Sequence, residues 1–282
     1  ARWQTTWAAD GEDGKLWLRT TRWGDDKDRV ALKADGSTTY FVPDVAYHEG
    51  KWQRGFARAL NIQGADHHGT LARVRAGLQA LDEGIPANYP EVRFHTMVKV
   101  VRSGVPVKTS KRAGGYTTLD ELLDAVGPVA LRLLLLQKKA DSPLVLDLDA
   151  ALRPTPDNPA YTIQYAHARA CALLERLDAS APPAPASSLA PPEKALLTAQ
   201  LAFAGALALS AQREEPHRAV AALVALAHAV HAAYQQGPKA HTMAPADQAL
   251  RARLFEGARQ ALAVGAGLIG AVLPRRLEPV ET

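Results

Sequence analysis

Residues 1 to about 155 alternate β-branched runs with amphipathic ones, while everything beyond Pro154-Thr155-Pro156 is rich in alanine and leucine and nearly free of strand signal. Alternating signals build a layered α/β unit, whereas uninterrupted helical periodicity must bury its apolar stripes helix against helix. The expected fold is α/β followed by all-α, with domains at 1–155 and 156–282, each long enough to bury its own core. Apolar residues at 47% and charged residues at 22% place the chain among folded globular proteins. No stretch approaches twenty uninterrupted apolar residues and Ala1-Arg2-Trp3-Gln4 is no leader, so neither a membrane span nor a signal peptide is expected and the predicted location is the cytoplasm. Cys171 is the sole cysteine, forms no internal disulfide and reads as core filler. A net charge of +4 suits a polyanionic partner without demanding one.

Within the first part, 38–42 and 59–62 read as strands, the second running into Gly64-Ala65-Asp66-His67-His68-Gly69. A helix is expected directly after it, with Leu71, Val74, Leu78 and Leu81 on one face. Strand, turn and helix in that order form the unit that opens toward a ligand in doubly wound sheets. The stretch 94–101 alternates and reads as a further strand. A polar loop follows, and Thr118 with Glu121 predicts a capping box for a helix ended by Gly127-Pro128, with another helix over 129–139. In the second part helices are expected at 159–177, 193–212, 217–235 and 246–270, with a linker at 179–192 and breaks at Pro216 and Gly237-Pro238, giving an antiparallel bundle.

Three clusters carry chemistry. Lys108-Thr109-Ser110-Lys111-Arg112 gathers three cations and hydroxyls before Gly114-Gly115, suited to phosphate oxygens. An isolated K-x-S-K is by itself better read as a solvated basic loop, because short basic motifs recur by chance. Asp66, His67 and His68 stand at a strand end beside a helix N-terminus, where a ribose hydroxyl or phosphate can be held, although Asp66 could also simply cap the helix. No metal site is expected there, because Asp-His-His lacks further spaced ligands. Tyr40 and Asp44 lie four apart, so a phenol and a carboxylate can converge on one cation, and a carboxylate grips a guanidinium in bidentate fashion. The plainer alternative is a helix cap with a half-buried aromatic.

Taken in order, Gly24-Asp25-Asp26-Lys27-Asp28-Arg29-Val30, Tyr40-Phe41-Val42-Pro43-Asp44-Val45-Ala46-Tyr47-His48, the 64–69 turn, the 107–119 segment, and Asp157-Asn158-Pro159-Ala160-Tyr161 leading to Gln164-Tyr165-Ala166-His167-Ala168-Arg169 resemble the arginyl-tRNA synthetases, nearly end to end. The resemblance implies the second half of a class I nucleotide-binding, Rossmann-like domain joined to a helical anticodon-binding domain. It implies tRNA(Arg), arginine and ATP with Mg2+ as partners, no tightly bound cofactor, no membrane, and a monomeric parent enzyme that joins arginine to tRNA.

By motif, the resemblance puts Lys108, Ser110 and Lys111 in the lysine-rich signature loop at ATP, where the lysines would stabilise charge on departing pyrophosphate. It assigns Gly64, Asp66, His67 and His68 to the ATP ribose, Met97 and Val98 to the adenine, and Tyr40, Asp44 and, more weakly, Gln63 to arginine. Tyr165, Arg169 and Tyr234 fall to tRNA, through stacking of unpaired bases on the aromatics. The sequence departs from the family pattern at Thr109, which stands for a methionine, and in the tail 277–282. It contains no His-x-Gly-His signature. The expectation is that these residues alone do not charge tRNA, either as a fragment of a ligase or as a natural truncated paralogue that binds tRNA or regulates.

Overall fold

The computed structural model describes residues 8–10, 13–107 and 118–277. The chain divides into two compact units, 1–97 and 98–282. In the first, β1 (Ala8–Asp10), β2 (Leu16–Leu18) and β3 (Arg29–Leu32) form an antiparallel sheet in that order. Helix α1 (Phe41–Gln53) follows, then β4 (Leu60–Gly64), α2 (His68–Gln79) and β5 (Glu91–His95). Strands β4 and β5 are parallel and in unbroken register from Leu60↔Glu91 to Gly64↔His95, so α2 is the crossover helix that a parallel pair requires.

The first unit's core joins Leu18, Phe41, Val45, Val74, Leu78, Ile85 and Tyr89. Val74 and Leu78 are buried and Leu71 and Leu81 half-buried, as their helical spacing predicts. Gly77 lets α2 press against α1, since a Cβ there would lie 2.5 Å from Val45 Cγ2 and 2.9 Å from the Phe41 ring.

Two strand expectations need correction. Residues 38–42 are not a strand: Thr38 bridges to Leu32 and Thr39 bonds to Ala31, after which α1 begins at Phe41. The β-branched run favours extension, but Pro43 sits in the first helical turn, where its missing N–H costs nothing. Likewise 94–101 is not one strand. Strand β5 ends at His95 and β6 (Val98–Arg102) begins three residues later, each paired in a different sheet.

In the second unit β6 pairs with β7 (Val105–Pro106) as a hairpin and with β8 (Leu144–Asp147) in parallel. Helices α3 (Leu119–Val126), α4 (Pro128–Leu136) and α5 (Leu148–Leu152) accompany this small sheet, whose core contains Val100, Leu131, Leu134, Leu146 and Leu148. The capping box at α3 is formed: Thr118 accepts from Glu121 N at 3.2 Å and Glu121 accepts from Thr118 N at 2.8 Å.

No strand follows β8 among the described residues. Helices α6 (Pro159–Leu174), α7 (Pro191–Arg213), α8 (Pro216–Gln236) and α9 (Pro245–Leu268) make the bundle, each opening with proline where its fixed φ suits the first turn. Asn158 caps α6 through the amides of Ala160 and Tyr161. The short links 214–215 and 237–244 fold successive helices back on each other around Ile163, Leu196, Leu223, Leu226, Phe255 and Leu262, all fully buried. Burial of each of these large side chains contributes roughly 1.5–3 kcal/mol. By length and composition α7, with a mean hydropathy of 1.4, could cross a membrane. It contributes Leu196 and Phe203 to the bundle core.

Candidate functional site

The first unit has an open cleft of about 240 Å³ lined by Asp44 and Tyr47 of α1, Asn61 and Gln63 of β4, and Thr70 and Val74 of α2 among others. Two of the three residues assigned to arginine, Asp44 and Gln63, meet there. Tyr40 is not among the lining residues and is 92% exposed at the start of α1.

Beneath Asp44, one turn along the same helix face, lies buried His48. Asn61 donates from Nδ2 to His48 Nε2 at 3.0 Å and accepts Lys51 Nζ on Oδ1 at 3.2 Å. Lys51 also lies 4.1 Å over the Tyr47 ring. Burial above all, with the Lys51 charge adding, pushes the His48 pKa down to about 4. A neutral imidazole therefore ties α1 to β4 beside the Asp44 carboxylate. The sequence reading gave no role to His48, Lys51 or Asn61, although Asp44, His48 and Lys51 recur at helical spacing and could have been found by it.

At the carboxyl end of β4 and β5 the turn 64–69 opens in the crevice position typical of parallel sheets. The Asp66 carboxylate folds back over Gly64, where a Cβ would stand 2.5 Å from Oδ1. His67 Nε2 is 3.7 Å from Asp66 Oδ2, and the His68 ring stacks on Phe94 with centroids 3.6 Å apart. Met97 is 76% exposed and Val98 opens β6. Lys108, Ser110 and Lys111 lie outside the described residues. Among the described residues no group of three or more His, Cys, Asp or Glu side chains could hold a metal ion.

In the helical bundle the three residues assigned to tRNA come together. The Arg169 guanidinium lies over the Tyr165 ring at 4.1 Å and over the Tyr234 ring at 5.0 Å. Tyr161 stacks on Tyr165 with centroids 5.4 Å apart, and His231 tilts against Tyr165 at 5.3 Å. Tyr161, Tyr165 and Arg169 follow one another at four-residue intervals along α6, and His231 precedes Tyr234 by three on α8, so each set shares a helix face. In the sequence Tyr161 stood within the resembling stretch without an assigned role, and His231 was missed.

Residues 163–277 match the DALR anticodon binding domain family. The chain is 50% identical over 275 residues, 94% of its length, to an arginine–tRNA ligase of Bordetella petrii, and 48% identical over 273 residues to one of Thiobacillus denitrificans. Over nearly its whole length the chain matches the arginyl-tRNA synthetases. It spans about half the length of these curated relatives, 48% in both cases.

A solved Campylobacter jejuni structure, described as an arginyl-tRNA synthetase, superposes with a TM-score of 0.84 at 29% identity, over 96% of this chain and 59% of that one. The arginyl-tRNA synthetase of Thermus thermophilus shares the fold, with a TM-score of 0.75 at 20% identity over 94% of this chain and 54% of that one. The match to the DALR anticodon binding domain covers all of the Arg169 cluster except Tyr161.

Proposed function

We propose that these residues supply part of the arginine and ATP pocket, and the anticodon-reading surface, of an arginine–tRNA ligase. The observation that carries the reading is the Arg169 guanidinium held over Tyr165 and Tyr234 inside a matched anticodon binding domain. Half-buried aromatics beside a cation suit an unpaired strand, whose bases meet π-faces and whose backbone phosphates meet the cation.

In the parent enzyme arginine and Mg2+–ATP are the substrates of activation. The arginine carboxylate attacks the α-phosphorus, pyrophosphate leaves, and the terminal ribose hydroxyl of tRNA(Arg) then displaces AMP. Asp44, with Gln63 and Tyr40, would hold the guanidinium. Neutral His48 adds no competing positive charge beside it. Gly64, Asp66, His67 and His68 would face the ribose, and the Met97–Val98 backbone the adenine. Lys108 and Lys111, with Ser110, would stabilise charge on departing pyrophosphate. The parent acts in the cytoplasm as a monomer, and residues 1–282 alone bind tRNA without charging it.

Binding of labelled tRNA(Arg) across a salt series tests this, with a tRNA altered only in its anticodon as the control. Tighter binding of the unaltered tRNA is expected. Equal and steeply salt-dependent binding of both would reduce the surface to a basic patch and overturn the anticodon role. Aminoacylation measured with residues 1–282 alone is expected to stay at background, and charging above background overturns that part.

A further inference from the structure

His231 of α8 makes two hydrogen bonds of opposite polarity. Its Nε2 lies 3.1 Å from the Thr162 carbonyl oxygen on α6. A carbonyl only accepts, so Nε2 carries the proton. Nδ1 is then a lone pair, and Arg169 Nη1, which can only donate, stands 3.3 Å from it. One neutral tautomer satisfies both contacts, whereas a doubly protonated ring would turn an N–H toward the guanidinium. Burial above all holds the His231 pKa below its ordinary value; the Thr162 carbonyl pulls the other way, and the Arg169 and His228 charges add to the lowering.

The partners of Arg169 differ in kind from those of two other arginines in the bundle. Arg259 is tied to Glu256 and Arg251 to Glu193, both through ion pairs. Arg169 is held by two phenol rings and an imidazole, and among the described residues it forms no ion pair with a carboxylate. Neutral partners leave its charge uncompensated and most of its five N–H donors free.

We infer that His231 is a positioning residue for nucleic-acid recognition: its Nδ1 lone pair, registered by the Thr162 carbonyl, holds the Arg169 guanidinium across Tyr165 and Tyr234 so that the remaining donors meet the acceptor edge of an unpaired base. The inference rests on the reading of this surface as the tRNA interface. The Tyr165 and Tyr234 rings pack against the guanidinium, and the His231–Thr162 bond fixes its height and plane between two helices. Loss of the acceptor would free Arg169 to swing toward phosphates, which carry no sequence information.

Two isosteric substitutions separate the two bonds. His231→Asn keeps an amide group where Nδ1 stands and gives up the reach to Thr162, while His231→Gln keeps a donor for Thr162 and gives up the acceptor for Arg169. Each loses one hydrogen bond, so a merely structural role predicts similar melting temperatures and similar tRNA binding for both. The measurement is the affinity of the full 282-residue chain for tRNA(Arg) and for the anticodon-altered tRNA at fixed salt.

The expected result is anticodon discrimination retained in His231→Asn and lost in His231→Gln, the latter binding the unaltered tRNA about tenfold more weakly while binding the altered tRNA as the parent chain does. Arg169→Lys, which keeps the charge without the planar fork, is expected to reproduce the His231→Gln pattern with His231 intact. Discrimination preserved in His231→Gln, or lost equally in both His231 variants, overturns the assignment. Absence of discrimination by the unsubstituted chain removes the anticodon reading itself and the inference with it, and is recognised before any variant is made.

Discussion

Glu193 Oε1 and Arg251 Nη1 lie 3.2 Å apart with their side chains only 4% and 2% exposed. Arg251 also donates to the Ala233 carbonyl at 3.0 Å and to that of Pro238, closing the end of α8. Glu193 caps the start of α7 by accepting from Ala190 N at 3.0 Å on its other oxygen. The pair thus joins the start of α7, the end of α8 and the body of α9. Its Oε1 and the Arg251 Nε have no hydrogen-bond partner, so the contact is coulombic without full alignment. Gly237 makes the approach feasible, since a Cβ there would stand 2.5 Å from the Ala233 carbonyl and 2.8 Å from Arg251 Nη1.

Removing one member of this pair strands the other in the bundle. Arg251→Met is expected to lower the unfolding free energy by about 3–5 kcal/mol, read from the urea midpoint, because an uncompensated carboxylate stays buried. The double variant Arg251→Met with Glu193→Leu is expected to recover much of that loss, as apolar replacement of both charges often does.

Asp44→Asn removes the charge that would meet a guanidinium at the cleft while leaving its shape. Asp44 is exposed on α1, so the melting temperature is expected to stay constant. In the complete enzyme the KM for arginine is expected to rise about tenfold or more, reflecting the loss of a charge-assisted contact. An unchanged KM would remove Asp44 from the arginine site.

His48 makes stability depend on pH in a defined window. In the unfolded chain it titrates near 6.5, in the fold near 4, so between these values the unfolded state holds more protons. Stability is fully present above about pH 6.5 and declines as the pH falls toward 4, by at most about 3 kcal/mol. His231 is also depressed and acts with the same sign. Urea titrations at stepped pH check this, and His48→Asn is expected to flatten the decline.

Gly77→Ala inserts a methyl group where Val45 and Phe41 already stand 2.5 and 2.9 Å from its position. Overpacking of this kind costs roughly 1–3 kcal/mol. Because the displaced residues flank Asp44 on α1, weaker arginine binding is expected alongside the lower melting temperature. A melting temperature equal to that of the parent would show that α1 and α2 separate freely.

Much of this was legible in advance, and the reasons differ by element. The three long bundle helices were marked at both ends by proline and glycine punctuation, and the expected 193–212, 217–235 and 246–270 match α7, α8 and α9 within a few residues. The capping box at Thr118 and Glu121 was readable because it is wholly local. The break at Thr96-Met97 was not, because neither residue signals a turn and the alternation runs on through it. Asp44, Gln63, Tyr165, Arg169 and Tyr234 were marked by motif. His48 and His231 were passed over because their roles depend on partners, Asn61 and Thr162, that lie 13 and 69 residues away in the chain.

The ladder of Tyr161, Tyr165 and Arg169 acts as a ruler along α6. Four residues of helix advance about 6 Å, and the two tyrosine rings are 5.4 Å apart, whereas a stacked strand advances only about 3.4 Å per nucleotide. A strand that lays successive bases on successive rungs must be stretched by more than half its stacked length, so neighbouring bases lose contact with one another. In the proposed anticodon role such a surface would select against paired or stacked nucleic acid by pitch alone, before any base edge is read.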